Sequence, residues 1–482
     1  MSFVQKNEEP KKNTIAALDG VRAFACFCVI SYHITHLTEG EKVWTIGHIE
    51  SVRELGALGH LAVDISLSGS SGVTLFFILS GFLLFMTYAK SMLFDTSWPE
   101  ARRFYLRRIF RIWPGYYVSL LLLIIISYHS YLQLDHLKQS FLFLTFLMDS
   151  SANTYQAING PFWTLAVEWQ YYMLLPLLAL GMGWLVRRGT FKRRLTILLL
   201  CLGGMLLWGL ATRWWGRSWQ LYFMPAKTNG VAKPVQYPLF SGAHPLLPAS
   251  VRNILLFFVY GQDGKFMEDF AVGMLISVFY TIAQQLPEHP ISRFCYKSSR
   301  YMWFLGLAFL FFAVVWLDIP LWFTQLLSPQ QYNALYSMWV IHSPLQPYIG
   351  AHAWLSEMPF VLGYGCCMQA ILFGKRDLQW FWQLGPVRWL GLLSYGLYIW
   401  HLPIILAFDN FIHPFQQNIN NIVYYGLFWV LVVVIIIPFC YLFHILIEQP
   451  WIKFGARVTG KKVTKIPPAD VPEVVAAGST KE

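Results

Sequence analysis

Charged residues are scarce in this chain. Only 13% of its 482 residues are Asp, Glu, Lys or Arg, whereas 56% are hydrophobic. Because soluble domains usually contain about 25% charged residues, this composition argues against a soluble protein. Several apolar runs approach the roughly 20 residues that a helix needs to cross a bilayer. We therefore expect an all-α fold, a polytopic membrane helical bundle.

The sequence also lacks the motifs of several common enzyme classes. It has no Gly-rich phosphate-binding loop, no nucleophile elbow and no cluster with metal-ligand spacing. Its seven cysteines show neither a disulfide framework nor zinc-binding spacing, which favours packing roles for them. We expect no metal ion and no permanently bound cofactor.

Ten apolar segments can be interpreted as membrane spans. They cover residues 16–37, 69–89, 112–130, 163–185, 195–212, 266–286, 301–318, 355–373, 389–409 and 421–447. The first has no convincing cleavage site and is long for a signal peptide, so we expect it to be retained.

The distribution of basic residues predicts the topology. If the N-terminus is cytoplasmic, the cytoplasmic loops and tails hold 26 of the 36 Lys and Arg residues. This is the positive-inside pattern, so the net charge of +11 indicates orientation in the membrane rather than a nucleic-acid partner. We expect both termini in the cytoplasm and a multi-pass location in the plasma or inner membrane.

Three regions follow from this interpretation. Residues 1–14 form a cytoplasmic tail, residues 15–455 form the membrane domain, and residues 456–482 form a basic, disordered cytoplasmic tail. The longest outside loop, 213–250, either recognises an acceptor or lies at the interface, anchored by its aromatic residues.

The first span carries Arg22 and His33. Eleven helical residues return to within about 20° of the same face and rise roughly 16 Å, so the two side chains share one stripe. A charge at mid-membrane costs about 2.5–3.5 kcal/mol on insertion scales and usually faces a polar cavity. The alternatives are an Arg22 that reaches the headgroups and a His33 that is a neutral packing residue.

A ridge of arginines precedes the third span. Arg108 and Arg111 form an i, i+3 pair, and Arg103 and Arg107 extend the ridge. Guanidinium groups bind phosphate in a bidentate manner, which suits a phosphorylated cytoplasmic ligand. Positive-inside anchoring explains the charge equally well.

A carboxylate lies just inside the predicted outer end of the fourth span. Glu168 is flanked by Trp163, Tyr171 and Tyr172. It can orient a histidine, hold a hydroxyl substrate, or reach interfacial water.

The ninth span has a polar face formed by Ser394, Tyr398 and His401, which are spaced i, i+4 and i+7. Such a face lines a cavity or forms a structural network between helices. Glu268 and Asp269 open the sixth span at its outer end, where we expect solvation rather than contact with an acceptor. The supporting polar residues of the predicted site are Ser80, Tyr172, Ser394, Tyr398 and His401.

Six stretches together resemble the acyltransferase-3 family of membrane O-acyltransferases. They are LDGVRAFACFCVISYH (18–33), SGVTLFFILSGFLL (71–84), RRIFRIWP (107–114), WTLAVEWQYY (163–172), SYGLYIWHLPI (394–404) and IEQPW (447–451). Each is weak by itself, but all six occur in the family's order, from about residue 15 to 455.

The resemblance implies transfer of an acyl group, expected to be acetyl, from cytoplasmic acyl-CoA to a hydroxyl of a carbohydrate or glycan acceptor. It implies that His33 is the catalytic base and Arg22 its companion on the same helix. It also implies that Arg108 and Arg111 contact CoA, and that Glu168 is a further essential polar group. A neutral imidazole, with an ordinary pKa of about 6.5, suits a general base; a covalent acyl-histidine is the alternative.

The chain departs from the family pattern at two positions. Thr74 stands where many relatives have Asp, and Trp169 where a second Glu is common. The orienting partner of His33 is therefore open between Glu168 and Asp64. Two other functions stay open: export of a polysaccharide or lipid-linked sugar, and acylation of a small molecule such as a macrolide.

Overall fold

The computed structural model describes residues 13–39, 42–45, 62, 65–223, 251, 254–326 and 357–460. This part of the chain is helical apart from one hairpin, in which β1 (His36–Glu39) pairs antiparallel with β2 (Lys42–Thr45). The expected helical membrane protein is thus confirmed, and the hairpin is an addition that the sequence analysis did not predict. Asp64 and residues 224–250 of the predicted 213–250 loop lie outside the described residues.

The helices of the described residues follow one another along the chain, with connections that range from a few residues to several tens of residues. They are α1 (Asn13–Thr35), α2 (Gly72–Phe94), α3 (Ala101–Ile126), α4 (Leu137–Leu144), α5 (Phe162–Val186), α6 (Phe191–Phe223), α7 (Met267–Gln285), α8 (Pro290–Leu326), α9 (Met358–Phe373), α10 (Arg376–Gln379), α11 (Gly385–Ile412), α12 (Asn421–Leu431), α13 (Ile437–Phe443) and α14 (Gln449–Val458). Two π-helical turns, Val432–Ile436 and His444–Glu448, join α12, α13 and α14 into one continuous helical segment.

Seven helical segments within the described residues are long and apolar enough to cross a membrane. A further pair, α7 and the first part of α8, passes that test only when taken together and is bent by 116° at its break. Helix α9 is apolar but has only 16 residues. The count of ten spans and the cytoplasmic location of both termini therefore stay predictions.

Helix α1 is packed against α2 and α11. A Cβ atom at Gly72 of α2 would collide with the backbone oxygen of Ala25, and one at Gly391 of α11 would collide with that of Asp19. In a bilayer, lipid tails are as apolar as leucine, so helices associate through close packing at such small residues. This packing brings the first helix into direct contact with a helix more than three hundred residues away in the sequence.

We expect Gly391→Ala to destabilise the protein, because the added methyl group has no room beside Asp19. Overpacking of this kind costs about 1–3 kcal/mol, although alanine is otherwise the better helix former. The control is Gly385→Ala on the same helix, where the methyl group would meet no atom within 4 Å. Thermal unfolding in detergent measures both, and equal midpoints for the two variants would contradict the close contact.

Candidate functional site

A polar cavity lies among helices α1, α2, α3, α5 and α11. It contains about 810 Å³ of non-atom space, a volume that includes its open mouth. Eight of the twelve predicted site residues line it: Arg22, Ser80, Arg108, Arg111, Glu168, Tyr172, Ser394 and Tyr398. The structure therefore brings together residues from five helices that the sequence analysis had singled out separately.

Helical spacing explains how α5 contributes to the wall. Thr164, Glu168 and Tyr172 follow one another at intervals of four residues, which places them on a single face. All three line the cavity. The sequence analysis missed Thr164, although the same spacing rule that selected Ser394 and Tyr398 would have found it.

Glu168 is the hydrogen-bond acceptor at the centre of this wall. Ser80 Oγ donates to Glu168 Oε1 at 2.5 Å, and the Tyr172 hydroxyl donates to the same oxygen. The guanidinium carbon of Arg108 lies 5.7 Å from the centre of the Tyr172 ring, a cation–π contact. The carboxylate thus orients two hydroxyl groups beside a positive charge.

The cavity carries more positive than negative charge. Three guanidinium groups, those of Arg22, Arg108 and Arg111, line it together with a single carboxylate, that of Glu168. Arg22 also pairs with Asp19 at 2.9 Å, one helical turn away. The buried Nε of Arg108 has no hydrogen-bond partner among the described residues. An excess of guanidinium donors in a weakly screened interior favours an anionic ligand.

The other two arginines of the predicted ridge point elsewhere. Arg103 is more than half exposed and pairs with Glu100 at 2.9 Å. Arg107 donates from Nε to Thr459 Oγ1 at 3.3 Å, just past the end of α14. Neither lines the cavity, so their assignment to acyl-CoA binding stays a prediction that the geometry does not favour.

His33 and His401 form a pair beyond the cavity wall. His401 Nε2 lies 3.1 Å from His33 Nδ1, and each Nδ1 lies 2.9 Å from the carbonyl oxygen four residues earlier in its own helix, that of Val29 or Leu397. His401 is fully buried, whereas His33 is only partly buried. The predicted base therefore has a polar partner on α11.

Tyr398 connects the cavity to the histidine pair. Its hydroxyl is 2.5 Å from Thr164 Oγ1, and its ring centre is 5.9 Å from that of His401. The ring of Phe76 packs edge-on against it at 5.6 Å. Tyr398 and Phe76 thus lie in the cavity wall, with His401 next to Tyr398.

The sequence left open whether Glu168 or Asp64 orients His33. Glu168 makes its described hydrogen bonds with Ser80 and Tyr172, on the cavity side. Asp64 lies outside the described residues. Among the described residues, His401 is the side chain within hydrogen-bonding distance of the His33 ring. Helical spacing had singled out His401 but could not have paired it with a residue of another helix.

The expectation that Glu268 and Asp269 are solvated is wrong. Both are buried, with 1% and 0% of their surface exposed. Arg213 of α6 lies 2.5 Å from Glu268, and its guanidinium carbon is 4.4 Å from the ring centre of Phe266. The buried ion pair between α6 and α7 takes the place of the expected contact with water.

Among the described residues, no group of three His, Cys, Asp or Glu side chains could hold a metal ion.

The chain is similar to a known protein family and to two curated proteins. The chain matches the acyltransferase-3 model, described as an acyltransferase domain, over residues 15–445. It is 23% identical over 462 residues to "Putative peptidoglycan O-acetyltransferase YrhL" of Bacillus subtilis (strain 168), which covers 93% of this chain and 56% of that protein. It is 30% identical over 175 residues to "Putative acetyltransferase ORF330" of Acidianus two-tailed virus, which covers 36% of this chain and 42% of that protein. The chain thus spans about half the length of these curated relatives. No solved structure matches it.

We expect Glu168→Gln to be tolerated structurally better than Glu168→Leu. The amide oxygen of Gln still accepts hydrogen bonds from Ser80 and Tyr172, whereas Leu leaves both hydroxyls without their acceptor at about 1–3 kcal/mol for each buried group. Thermal unfolding in detergent measures the difference. The matched control is the same pair of changes at Glu288, an exposed residue, where the two variants should unfold alike. Equal stability of the two Glu168 variants would refute its role as acceptor.

Proposed function

Because the chain belongs to the acyltransferase-3 family, we propose that it is an integral membrane O-acyltransferase that uses acyl-CoA as donor. The acyl group is acetyl, and it is moved to a hydroxyl of a carbohydrate acceptor. The observation that carries this proposal is the convergence of Arg22, Arg108 and Arg111 on one cavity, next to a histidine pair.

The donor binds through its phosphates. Arg108 and Arg111 lie in the first half of α3, on the side that the positive-inside pattern predicts to be cytoplasmic and where acyl-CoA is available. Guanidinium groups match phosphate oxygens in geometry and charge. Arg22 adds a third guanidinium group to the wall, and the thioester arm extends from the phosphates towards Tyr398 and His33.

His33 is the general base of the transfer. It takes the proton from the acceptor hydroxyl as the oxygen attacks the carbonyl carbon of the thioester. An ester C–O bond forms, the C–S bond breaks, and CoA leaves as a thiolate that takes the proton back from His33. Glu168 supports this step by holding Ser80 and Tyr172 in place beside Arg108.

The acceptor is a carbohydrate of the cell envelope, and the protein acts in the cell membrane. One relative is named for O-acetylation of peptidoglycan, and a peptidoglycan glycan offers the free hydroxyl groups that the reaction needs. The chain spans only about half the length of that relative. The acceptor of this chain is therefore proposed and is not taken from the relative's name alone.

We expect Arg108→Ala and Arg111→Ala each to raise the KM for acetyl-CoA. A hydrogen bond to a charged group contributes about 1.5–3 kcal/mol, which corresponds to about tenfold to a hundredfold in KM. Release of free CoA by the purified protein, followed with a thiol reagent, gives the kinetics. The control is Arg293→Ala, which removes an exposed arginine paired with Glu288 and should leave KM unchanged. If both cavity variants behave like this control, the donor does not bind at these arginines.

We expect His33→Ala to lower kcat by about a hundredfold or more, as loss of a general base does, with little change in KM. The matched control is His129→Ala in the exposed connection after α3. The probe acceptor is a soluble oligosaccharide of N-acetylglucosamine and N-acetylmuramic acid, and mass spectrometry detects the added acetyl groups. A His33→Ala protein with full acetyl transfer would refute the base assignment. Wild-type protein that moves glycan across vesicles without releasing CoA would favour an exporter.

A further inference from the structure

The ring of His401 has one protonated nitrogen that its surroundings identify. Its Nδ1 lies 2.9 Å from the carbonyl oxygen of Leu397. A carbonyl oxygen only accepts hydrogen bonds, so Nδ1 is the nitrogen that carries the hydrogen. In a neutral imidazole the other nitrogen, Nε2, then has a lone pair and acts as an acceptor.

The same reasoning identifies the protonated nitrogen of His33. Its Nδ1 lies 3.1 Å from the accepting Nε2 of His401 and 2.9 Å from the carbonyl oxygen of Val29. Both neighbours are acceptors, so Nδ1 of His33 is the donor to them. The neutral His33 ring therefore keeps its lone pair on Nε2, the nitrogen that faces neither partner.

We propose that His401 is the positioning residue of the reaction: it fixes His33 in the Nδ1–H form, so that Nε2 receives the proton of the acceptor hydroxyl. This inference rests on the function proposed above and names the partner that the sequence left open. Enzymes commonly use a carboxylate for this purpose, whereas here a second imidazole does so.

An imidazole partner suits a buried site in a membrane protein. When His33 Nε2 has taken the proton, the ring is positively charged and its Nδ1–H bond to the His401 lone pair becomes a stronger, charge-assisted hydrogen bond. His401 itself is neutral and completely buried, so it carries no charge that would have to be balanced between turnovers. It gives no proton away, and the proton on His33 returns to the CoA thiolate.

The roles of the two α11 residues differ. Tyr398 lines the cavity and hydrogen-bonds with Thr164, so it belongs to the region where the donor binds. His401 reaches His33 and its own helix backbone. Loss of the His401 ring should therefore affect the chemical step and leave donor binding intact.

Three substitutions at one position test this role. The amide of Gln reaches about as far as Nε2, so His401→Gln can still accept the hydrogen bond from His33. The shorter His401→Asn places its amide near the position of Nδ1, where it meets the Leu397 carbonyl but not His33. His401→Leu removes both contacts. Thermal unfolding of each purified variant in detergent reports on folding before the kinetics are compared.

The assay uses the purified full chain, acetyl-CoA and the N-acetylglucosamine–N-acetylmuramic acid oligosaccharide. We expect His401→Asn and His401→Leu to lower kcat by about tenfold to a hundredfold, as loss of a partner that orients a functional histidine does, with an unchanged KM for acetyl-CoA. His401→Gln should recover most of the activity.

Two results would overturn the inference while leaving the proposed function intact. One is equal kcat for the Gln, Asn and Leu variants, at any level, while His33→Ala still abolishes transfer. The other is a loss that appears in KM rather than in kcat. Absence of acetyl transfer by the wild-type protein would instead refute the proposed function, and the inference with it.

Discussion

Inside a bilayer no water solvates a guanidinium, a carboxylate or an imidazole, so each of these groups needs a partner within the protein. This constraint gathers the polar residues of five helices around one cavity. Glu168 accepts hydrogen bonds from two hydroxyls, and Arg22 pairs with Asp19. The guanidinium of Arg108 has a ring beneath it but a buried Nε without a partner. The described residues that line the cavity therefore leave an excess of positive charge.

Side chains that share one helix could be predicted from the sequence, because the helical period fixes which residues lie on the same face. Arg108 with Arg111, and Ser394 with Tyr398, were selected by spacing and do line the cavity. The period also explains why neighbouring residues separate: Arg107 precedes Arg108 by about 100° of rotation and instead meets Thr459. A ridge of charge along a helix therefore does not mean that all of its members reach one ligand.

Contacts between helices could not be predicted in this way, since no period relates residues on different helices. His33 and His401 are separated by 368 positions, and no pattern in the sequence around either residue indicates that the two side chains are in contact. Glu268 looked solvated because it opens a helix, yet Arg213 of the preceding helix buries it. The sequence named both histidines as candidate residues, but their pairing became visible only from the packing of α1 against α11.

That packing also sets an order of events during synthesis. Helix α1 is made well before α11 and carries Arg22 with its own counter-ion, Asp19, one turn away, so part of its charge is already balanced as it enters the bilayer. Among the described residues, the side chain that hydrogen-bonds with His33 is His401, which is made more than three hundred residues later. Its hydrogen bond, and the close fit of Gly391 against Asp19, form when α11 inserts. Until then the nascent chain contains His33 without His401, and the polar pair is complete only once α11 is in place.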